Sequence, residues 1–440
     1  MTLPPYSTRP TLRVDLGRIK DNYEALKAVA PRAKVAASVK ADAYGLGAVA
    51  VGRALYGAGC RIFFVATAGE GKLLRDAVGP NAAIYVLNGP APRDRGALLG
   101  AKLKPVINSI DQARYWAEVS REVNEPPYTA IHIDTGMNRL GMTNEEVKEL
   151  SRDKSLWRAI NPDWVMSHLA CASIADHPMN AQQLQRFKAA AASLPPTPLS
   201  LANSAGLYLG KDYHFQMVRP GISLYADQAT DKPDREVTQT AVKLLAPILQ
   251  VRYVKAGETL GYDATYTAPR DMRLATVGAG YADGVPVSLS NAGHMILHDQ
   301  PVPIVGRVSM DLSTLDVTDI HLPVKVGGVV EYLGDRLSEA AAEAGTINYE
   351  LLVRIGQRAR RDYWKPGQRE NQRDAQETPP ATQRKPKGGF QGNPKGKPRG
   401  PHSGNRKPGG RDGGGSRSGG KPGRGPKPGR GTRPQRSPGR

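Results

Sequence analysis

One string in this 440-residue sequence places a lysine a few residues before two glycines. Lys40 stands in the string VKADAYGLG, at the end of an apolar run, and Gly45 and Gly47 follow it. A lysine at the mouth of an apolar barrel has a lowered pKa and can form a Schiff base with an aldehyde cofactor, while glycines let the backbone approach a ligand. The alternative is an ordinary lysine whose ammonium reaches water or pairs with an acid.

Two later strings combine small polar residues with glycine. Asn203 and Ser204 lie in LANSAG, and Gly221 and Ile222 follow Arg219 in VRPGISLY. Hydroxyl groups and unobstructed backbone amides suit a phosphate dianion. Taken alone, Asn203 and Ser204 are explained equally well as turn-forming residues.

The histidine in SHLACA and the two cysteines have simple structural explanations. His168, taken alone, is compatible with a buried histidine that hydrogen bonds satisfy, and Cys171 is better explained as a small packing residue than as a nucleophile. Cys60 and Cys171 are the two cysteines of the sequence. They are too few for a disulfide framework in so long a chain, which indicates a reducing compartment.

Alternating strand-like and helix-like segments predict the fold that positions these residues. Eight short apolar runs, mostly separated by stretches with three- and four-residue apolar spacing, predict an α/β fold with an N-terminal (β/α)8 barrel of the TIM type. A doubly wound sheet is the alternative. The barrel is favoured because polar and small residues lie near the ends of the predicted strands, where barrel enzymes keep catalytic groups. These residues are Lys40, His168, Ser204 and Gly221, in the first, sixth, seventh and eighth runs. The runs are residues 33–41, 62–68, 82–89, 104–109, 128–136, 164–170, 199–204 and 217–225, and the predicted helices are 48–57, 69–78, 111–123, 144–150, 180–191 and 348–359.

Two changes in composition divide the sequence into three parts. The barrel is predicted over residues 10–230. Short alternating runs interrupted by Gly and Pro predict a mainly-β C-terminal domain over residues 231–364, with which residues 1–13 are expected to pair. Residues 365–440 are rich in Gly, Pro, Lys and Arg, with Phe390 as their one large apolar residue, and therefore predict a disordered tail.

Most of the net charge of +20 belongs to this tail. Residues 365–440 hold 20 Lys and Arg against 4 Asp and Glu, which leaves 41 basic and 37 acidic residues for the rest of the chain. The basic balance therefore does not by itself identify a nucleic-acid-binding protein. The tail could bind RNA or another polyanion nonspecifically through phosphates, although a single aromatic residue gives it little stacking capacity.

The sequence predicts neither a signal peptide nor a membrane span. The first 16 residues contain three prolines and no apolar stretch of signal-peptide length. No window reaches the roughly 20 apolar residues that a membrane span requires. Together with the low cysteine content, these features predict a cytoplasmic location.

Nine strings, in order, resemble the motifs of the alanine racemases, a family of fold-type III pyridoxal-phosphate enzymes. The resemblance spans nearly all of residues 10–364. It implies an isomerase that interconverts L-alanine and D-alanine with pyridoxal 5'-phosphate and without a metal, supplying D-alanine for bacterial peptidoglycan. The strings are VKADAYGLG (39–47), HIDTGMNRLG (132–141), SHLACA (167–172), LANSAG (201–206), VRPGISLY (218–225), GYDATYTA (261–268), GAGYADG (278–284), GRVSMD (306–311) and TINYELL (346–352).

The resemblance also implies which residues hold the cofactor. Lys40 would bind it covalently, and Arg219 would face its pyridine nitrogen. Because arginine has no acceptor and keeps its protons, that nitrogen would stay unprotonated, which makes the ring a weaker electron sink and discourages transamination. The further cofactor-binding residues implied are Tyr44, His168, Asn203, Ser204, Gly221, Ile222 and Tyr349.

Racemisation requires a base on each face of the substrate α-carbon. By resemblance Lys40 serves one face and Tyr262 the other. A phenol with a pKa near 10 is a weak base at neutral pH, so Tyr262 needs a neighbour that lowers its pKa. His168, linked to Arg219, is the expected neighbour.

The remaining implied residues concern the substrate and the second subunit. Arg139 is expected to bind the substrate carboxylate or the cofactor's phenolic oxygen through its planar set of donors. Met310 is expected to close the substrate pocket, with Tyr281 and Asp311 supporting it. Tyr262 and Met310 are expected to come from the opposite subunit of a head-to-tail homodimer with shared active sites.

The sequence departs from the family pattern at a few positions. His132 stands where several members have a carbamylated lysine that orients the arginine. Gly261 and Asp263 flank Tyr262 where SerTyrGly is commoner, and Ser309 stands where some members have cysteine. These differences concern rate and fine specificity rather than the reaction.

Three other functions remain open from the sequence. A broad-specificity amino-acid racemase shares the cofactor framework and differs in pocket size. A pyridoxal-phosphate carrier protein also uses a lysine at a strand end, but it lacks a second domain. A protein whose tail associates with nucleic acid is the third alternative.

Overall fold

The computed structural model describes residues 8–123, 126–227 and 229–364. It consists of a parallel α/β barrel followed by a mainly-β domain, which confirms the predicted fold class. The predicted tail, residues 365–440, lies outside the described residues. Within the described ranges, no helix is both long enough and apolar enough to cross a membrane.

The strands alternate with helices in the first half of the chain and predominate in the second half. In chain order the strands are β1 (Thr11–Asp15), β2 (Lys34–Val35), β3 (Ala37–Ser38), β4 (Ile62–Val65), β5 (Ala83–Val86), β6 (Lys104–Ile107), β7 (Thr129–His132), β8 (Pro162–Met166), β9 (Leu199–Ser200), β10 (Met217–Val218), β11 (Val242–Val254), β12 (Thr259–Leu260), β13 (Tyr266–Thr267), β14 (Met272–Val277), β15 (His294–Leu297), β16 (Gln300–Pro303), β17 (Ser313–Asp316), β18 (Val329–Leu333) and β19 (Arg360–Trp364). The helices are α1 (Leu16–Val29), α2 (Lys40–Tyr44), α3 (Ala48–Gly57), α4 (Ala68–Val78), α5 (Arg95–Gly100), α6 (Ile110–Arg121), α7 (Asn144–Arg152), α8 (Lys154–Ile160), α9 (Pro178–Ala192), α10 (Leu337–Glu343) and α11 (Asn348–Val353).

The barrel closes because one chain segment pairs on both of its sides. The strand order is β2-β10-β9-β8-β7-β6-β5-β4-β3, and all these pairs are parallel. β2 pairs with β10 and β3 pairs with β4, while the Ala36 N–H between them donates to the carbonyl of Val218 at 2.9 Å. Residues 34–38 therefore act as the first of eight barrel strands, divided in two.

The connections between the strands differ in part from the prediction. The five predicted barrel helices correspond to α3, α4, α6, α7 and α9, with ends that differ by at most three residues. After β9 and β10, however, the chain forms short 3-10 turns over Ala205–Leu209, Lys211–Tyr213 and Ile222–Leu224. Helix α11 ends at Val353, so the predicted helix over 348–359 is too long.

The two ends of the described chain lie in the same sheet of the β-rich domain. This sheet has the order β16-β15-β18-β11-β1-β19, and β14 and β17 extend it from β11. β1 pairs antiparallel with β11 and parallel with β19, and it leads directly into α1, for which Asp15 is the N-cap. The chain thus begins in the β-rich sheet before it enters the barrel.

A polar cluster closes the N-terminal end of the barrel. Tyr85 lies in the buried group inside the barrel, with its ring stacked on Phe64 at 5.1 Å. Its hydroxyl donates to Asp163, with oxygen–oxygen distances of 2.8 and 2.9 Å, and Lys104 pairs with the same carboxylate. Asp163 therefore satisfies a buried phenol and a mostly buried ammonium from two other strands.

We expect Asp163→Asn to lower the free energy of unfolding by about 1–2 kcal/mol, because it leaves Lys104 without its counter-charge. Urea denaturation at a fixed protein concentration measures the change. Asp176→Asn is the matched control, since Asp176 is exposed and pairs only with Lys232 across the surface. Equal effects of the two substitutions would contradict a stabilising role for the cluster.

Candidate active site

Lys40 is followed by a turn of left-handed backbone. Residues 41–44 have φ angles between 52° and 59°, although none of them is glycine. This conformation costs roughly 1–2 kcal/mol per residue and rarely extends beyond a single residue. Four in succession indicate that surrounding contacts impose the turn, which begins where the first barrel strand ends.

Two carboxylates hold the left-handed turn. Glu70 accepts a hydrogen bond from the N–H of Ala41 at 2.9 Å, and Asp42 accepts one from the N–H of Ala48 at 2.7 Å. The sequence analysis did not single out Glu70. Its signal is the string TAGEG, in which Thr67 and Glu70 form a capping box for α4.

The two glycines of VKADAYGLG let the turn pack against the C-terminal part of the chain. Both have positive φ, +83° for Gly45 and +100° for Gly47. A Cβ atom on Gly45 would lie 2.6 Å from the carbonyl oxygen of Leu352, and one on Gly47 would lie 2.0 Å from the hydroxyl of Tyr363. Any larger residue would push α11 and β19 away from the turn.

Lys40 is half-buried at the C-terminal mouth of the barrel. Burial lowers its pKa, and the positive charge of Arg139 lowers it further, whereas Glu70 opposes this change. A lowered pKa increases the fraction of unprotonated amine, which is the nucleophilic form. Lys40 is thus suited to attack an electrophile at the mouth.

Two histidines at the ends of neighbouring strands are neutral at neutral pH. Burial and then the charge of Arg219 lower the pKa of His168 well below its usual range. The same two causes lower the pKa of His132 to about 4. Each imidazole therefore offers one bare nitrogen rather than a second positive charge.

Arg219 is buried directly after β10, with 6% of its surface exposed. Its guanidinium donates to the hydroxyl of Ser200 and to the carbonyls of Ser167 and Leu201. None of these acceptors is a carboxylate, and burial lowers the pKa of Arg219 to about 9. The expected link between Arg219 and His168 takes the form of a charge effect, since these hydrogen bonds go to other groups.

The ends of β9 and β10 form a cradle of hydrogen-bonding groups. Ser204 Oγ accepts from the N–H of Gly221 at 2.8 Å and from that of Ser223 at 3.3 Å. The hydroxyl of Tyr44 lies against Gly221, where a Cβ atom would be 2.1 Å from it. The absence of a side chain at Gly221 therefore brings two hydroxyls and two backbone amides together.

Three other residues were predicted to bind the cofactor near this cradle: Asn203, Ile222 and Tyr349. Asn203 Oδ1 accepts from the N–H of Gly206 at 2.9 Å, which is the turn-forming contact weighed above. Ile222 is fully buried. The ring of Tyr349 lies 6.0 Å from that of Tyr44, and burial raises the pKa of both phenols, that of Tyr44 to about 12.

Arg139 lies in the exposed loop between β7 and α7. Asp134 shapes this loop by accepting hydrogen bonds at 2.9 Å from the N–H groups of Gly136 and Met137. The charge of Arg139 lowers the pKa of Lys40 and of both strand-end histidines. Arg139 therefore belongs to the same electrostatic group as Lys40.

A second set of predicted residues lies on the β-rich domain, exposed to solvent. Tyr262 is 69% exposed and Met310 54% exposed. Tyr281 is also exposed, and its N–H donates to the carbonyl of Ser309 at 3.0 Å, which brings it next to Met310. No hydrogen bond or ring contact within the described part of the chain joins Tyr262 to Lys40.

Arg358, which the sequence analysis did not single out, holds the loops that carry these exposed residues. Arg358 donates to both oxygens of Asp283 at 2.7 Å and to Asp311 at 2.6 Å. Asp283 is fully buried and also accepts from the N–H of Gly280 at 3.0 Å. Bidentate pairing with a buried carboxylate fixes the guanidinium, so Arg358 fixes the loops that carry Tyr281 and Met310.

The mouth thus combines an amine of lowered pKa, neutral imidazoles, two arginines and a hydroxyl-lined cradle. Among the residues that the structure describes, no group of three or more His, Cys, Asp or Glu could hold a metal ion. Amine, arginine and hydroxyl groups together suit an anionic carbonyl compound and a carboxylate. The arrangement therefore favours covalent catalysis through Lys40.

Comparisons with known proteins identify the family. The family model for the N-terminal domain of alanine racemase matches residues 14–229, and that for the C-terminal domain matches residues 241–363. The catabolic alanine racemase of Agrobacterium fabrum is 43% identical over 359 residues, covering 81% of this chain and 92% of that protein. The alanine racemase of Rhodospirillum rubrum is 45% identical over 359 residues, covering 80% of this chain and 95% of that protein.

Solved structures show the same similarity. The structure of alanine racemase from Bartonella henselae, with covalently bound pyridoxal phosphate, has a TM-score of 0.78 and 35% identity and covers 81% of this chain and 100% of that one. The biosynthetic alanine racemase of Pseudomonas aeruginosa has a TM-score of 0.75 and 32% identity, covering 82% and 100%. Because both domains match in order and the identity extends over nearly the whole length of these relatives, the chain belongs to the alanine racemase family.

Proposed function

We propose that this protein interconverts L-alanine and D-alanine with pyridoxal 5'-phosphate bound covalently to Lys40, and that its D-alanine serves cell-wall peptidoglycan. One observation carries the proposal: an amine of lowered pKa lies at the barrel mouth together with a buried arginine and a hydroxyl-lined cradle. Covalently bound pyridoxal phosphate in the Bartonella henselae relative supports the choice of cofactor. Chiral analysis of alanine after incubation with the purified protein tests the activity.

The residues at the mouth fit this cofactor. The hydroxyls of Tyr44 and Ser204 meet where Gly221 leaves room, and the backbone amides of Gly221 and Ser223, which donate to Ser204 Oγ, lie beside them. This set of donors would suit a phosphate dianion. We assign phosphate binding to this cradle, with Ile222 and Tyr349 beside it and Asn203 shaping the adjoining turn. Arg219, a buried cation with three neutral acceptors, suits an uncharged ring nitrogen rather than an acid.

The bound cofactor withdraws electrons from the substrate α-carbon and so makes its α-proton acidic. In one direction Lys40 would take that proton at its Nζ atom from one face while Tyr262 delivers a proton to the opposite face, and in the other direction the two residues would exchange these roles. Burial and the charge of Arg139 favour the unprotonated amine that this role needs. Arg219 keeps the electron withdrawal moderate, so proton exchange outcompetes slower side reactions.

Tyr262 supplies the base for the other face in this proposal. It is exposed on the β-rich domain, and no hydrogen bond or ring contact among the described residues joins it to Lys40, so we infer that a second copy of the chain presents it to the barrel mouth. A head-to-tail dimer would then build each site from the Lys40 group of one copy and the Tyr262 and Met310 group of the other. The anchoring of Met310 and Tyr281 through Arg358 supports this arrangement, because a partner needs a rigid surface.

Arg139 and the strand-end histidines complete the substrate site. We assign binding of the alanine carboxylate to Arg139, whose planar guanidinium suits a carboxylate. His168 is neutral, so it adds no further positive charge beside Arg219. Met310 closes the pocket around a small side chain, with Tyr281 and Asp311 supporting it.

We expect Lys40→Ala to lower racemisation at least about a thousandfold in both directions, because it removes a base and the covalent anchor together. Borohydride reduction followed by intact-protein mass spectrometry measures the covalent cofactor, which should be absent in the variant. Lys72→Ala, on the exposed surface of α4, is the control and should keep both properties. Covalently retained cofactor in Lys40→Ala would refute the assignment of Lys40.

Tyr262→Phe is expected to lose racemisation and to keep the covalent cofactor, because it deletes the base on one face only. In deuterated solvent the variant should still exchange the α-proton of D-alanine through Lys40, measured by proton NMR. Tyr253→Phe alters an equally exposed tyrosine of the same domain and should behave like the unaltered protein. Unchanged racemisation by Tyr262→Phe would contradict the two-base scheme.

Mixing the two variants tests whether the sites are shared between copies. A dimer of one Lys40→Ala chain and one Tyr262→Phe chain would contain one site with both bases intact. Random exchange of subunits would then restore about a quarter of the activity, since half of the dimers are mixed and each has one working site. No recovery, with exchange verified by mass spectrometry, would place both bases in one chain.

The tail should be dispensable for racemisation, because all nine motifs lie before it. Deleting residues 366–440 removes 19 Lys and Arg and 4 Asp and Glu. We expect unchanged turnover at equal cofactor content and a much weaker, less salt-dependent binding of RNA. Turnover and RNA affinity at several salt concentrations measure both effects, and a severalfold loss of turnover would show that the tail contributes to the folded site.

A further inference from the structure

The loop that carries Tyr262 joins two short antiparallel strands. β12 and β13 pair with Leu260 opposite Tyr266, so residues 261–265 form the loop of a hairpin. Tyr262 is the second residue of this loop and is exposed. A base on an exposed loop has a defined position only if further contacts hold the loop, since loops are otherwise among the more mobile parts of a protein.

The backbone of this loop is left-handed at consecutive positions. Asp263 has a φ of 59° and Ala264 a φ of 47°. Residues other than glycine pay for this conformation, so contacts outside the loop must hold these two residues in it. Position 263 is also one at which the sequence departs from the family pattern, in which glycine is commoner. The loop of this chain therefore requires a support that a loop with glycine at 263 would require less.

Arg307 provides one support, from the segment between β16 and β17. Its guanidinium donates to Oδ2 of Asp263. The backbones of the loop and of this segment are also close together. A Cβ atom on Gly261 would lie 3.1 Å from the backbone nitrogen of Arg307, and one on Gly306 would lie 3.2 Å from the carbonyl oxygen of Leu260. The ion pair thus joins two backbone segments that already pack against each other.

Asn291 provides a second support at the other end of the loop. Its Oδ1 accepts from the N–H of Gly306 at 2.6 Å, and its Nδ2 lies 3.4 Å from the carbonyl oxygen and 3.3 Å from the hydroxyl of Thr265. Neither bond reaches the residues next to Tyr262. Within the described part of the chain, the bond from Arg307 is the one side-chain hydrogen bond to Asp263. Asp263 therefore depends on Arg307 for its position.

We propose that the ion pair between Arg307 and Asp263 fixes the hairpin loop in the conformation that presents Tyr262 as a base. The proposal deepens the proposed function and rests on its assignment of Tyr262. Asp263 and Arg307 are positioning residues in this scheme, because their effect passes through the backbone bond between Asp263 and Tyr262 rather than through contact with the reacting atoms.

The exposure of the pair determines what it can affect. In a single chain, 48% of the Arg307 side chain and 63% of the Asp263 side chain are accessible to solvent. Exposed ion pairs contribute little to the free energy of unfolding. In the proposed dimer, the barrel mouth of a second copy would cover this surface and exclude water, which strengthens attraction between opposite charges. We therefore expect the pair to affect the position of Tyr262 in the assembled site more than the stability of the chain.

Isotope exchange distinguishes the two faces of the substrate. In deuterated solvent, the initial loss of the α-proton from L-alanine requires Tyr262, whereas that from D-alanine requires Lys40, and proton NMR follows both. Asp263→Asn removes the charge and keeps a residue type that tolerates left-handed backbone. We expect it to slow exchange of L-alanine about fivefold, the upper effect of an exposed ion pair, and to leave exchange of D-alanine and the cofactor content unchanged.

Arg307→Gln distinguishes positioning from a direct effect of charge on the phenol. Asp263→Asn and Arg307→Gln change the charge near Tyr262 in opposite directions, so a charge effect would speed exchange of L-alanine in one variant and slow it in the other. Loss of position should slow both to a similar degree. The double variant should be no slower than either single variant, because the same interaction is lost only once.

The matched control is another exposed pair of the β-rich domain. Arg270 donates to the two oxygens of Asp319 at 3.1 and 2.7 Å. Asp319→Asn therefore removes the same kind of charge from the same kind of pair, away from the hairpin loop. We expect it to change neither exchange rate.

Backbone hydrogen–deuterium exchange measures the loop without catalysis. Peptides that cover residues 259–267 should exchange faster in Asp263→Asn than in the unaltered holoenzyme at the same protein concentration, because the loop opens more often. Peptides that cover β14 should exchange equally in both. Tyr262→Phe should exchange like the unaltered protein, since the phenol does not hold the loop.

Three results would overturn the proposal. Opposite rate changes in Asp263→Asn and Arg307→Gln would replace positioning by a charge effect. Equal slowing of L-alanine and D-alanine exchange would indicate a general structural loss, and unaltered amide exchange in residues 259–267 would show that the pair does not hold the loop. If Asp263→Asn does not fold, Arg307→Gln gives the same comparison.

Failure of the proposed function is recognised separately. Absence of racemisation by the unaltered chain, or normal exchange of L-alanine by Tyr262→Phe, would count against the assignment of Tyr262. The amide exchange of residues 259–267 would then still decide whether the ion pair holds the loop.

Discussion

The left-handed turn over residues 41–44 is the constraint on which the arrangement of the mouth depends. At roughly 1–2 kcal/mol per residue, its backbone conformation costs about 4–8 kcal/mol, so it forms only where contacts enforce it. Those contacts come from Glu70 at the start of α4, from Leu352 in α11 and from Tyr363 in β19. The position of Lys40 therefore depends on the last described segment of the chain. A barrel alone would lack two of these three supports.

Electrostatic repulsion is the second feature that organises the mouth. Lys40, Arg219 and the two strand-end histidines lie where burial weakens solvation, and burial together with the nearby charge of Arg139 lowers the pKa of Lys40 and of each histidine. Neutral nitrogen atoms are what covalent attachment and hydrogen-bond acceptance require. An anionic ligand relieves the repulsion between the charges that remain, so the same field that prepares Lys40 also favours binding of a phosphate and a carboxylate.

The sequence predicted the parts of this structure that follow from strand periodicity. Parallel strands end at one rim of a barrel, so strand-end residues such as Lys40, His168 and Ser204 had to converge there once the apolar runs were identified. Helix α1 was not predicted, although its buried residues Ile19, Tyr23 and Leu26 show helical spacing. After β9 and β10 the connections form 3-10 turns in place of the expected helices, and the apolar residues of these turns are buried.

Other parts of the site have no reliable signal in a single sequence. Residues 41–44 are ordinary helix or turn formers, and only tertiary contacts make them left-handed. Glu70 looks like a helix-capping residue alone, since its important partner, Ala41, is distant in sequence. Arg358 is one of several arginines near the end of the domain, and burial of Asp283 distinguishes it only in three dimensions.

The two groups of functional side chains face different requirements, which explains why one is buried and the other exposed. In the proposed two-base reaction, a barrel rim presents its groups from one side, so Lys40 and its neighbours would reach only one face of a planar α-carbon. A base for the opposite face must come from a surface that covers the rim, and exposed side chains on that surface must be fixed in advance to avoid an entropic cost on association. The bidentate bonds of Arg358 to the buried Asp283, extended to Asp311, provide this fixation beside Met310. The rigid exposed surface next to Tyr281 and Met310 therefore suits the covering of a barrel mouth that is open on one side.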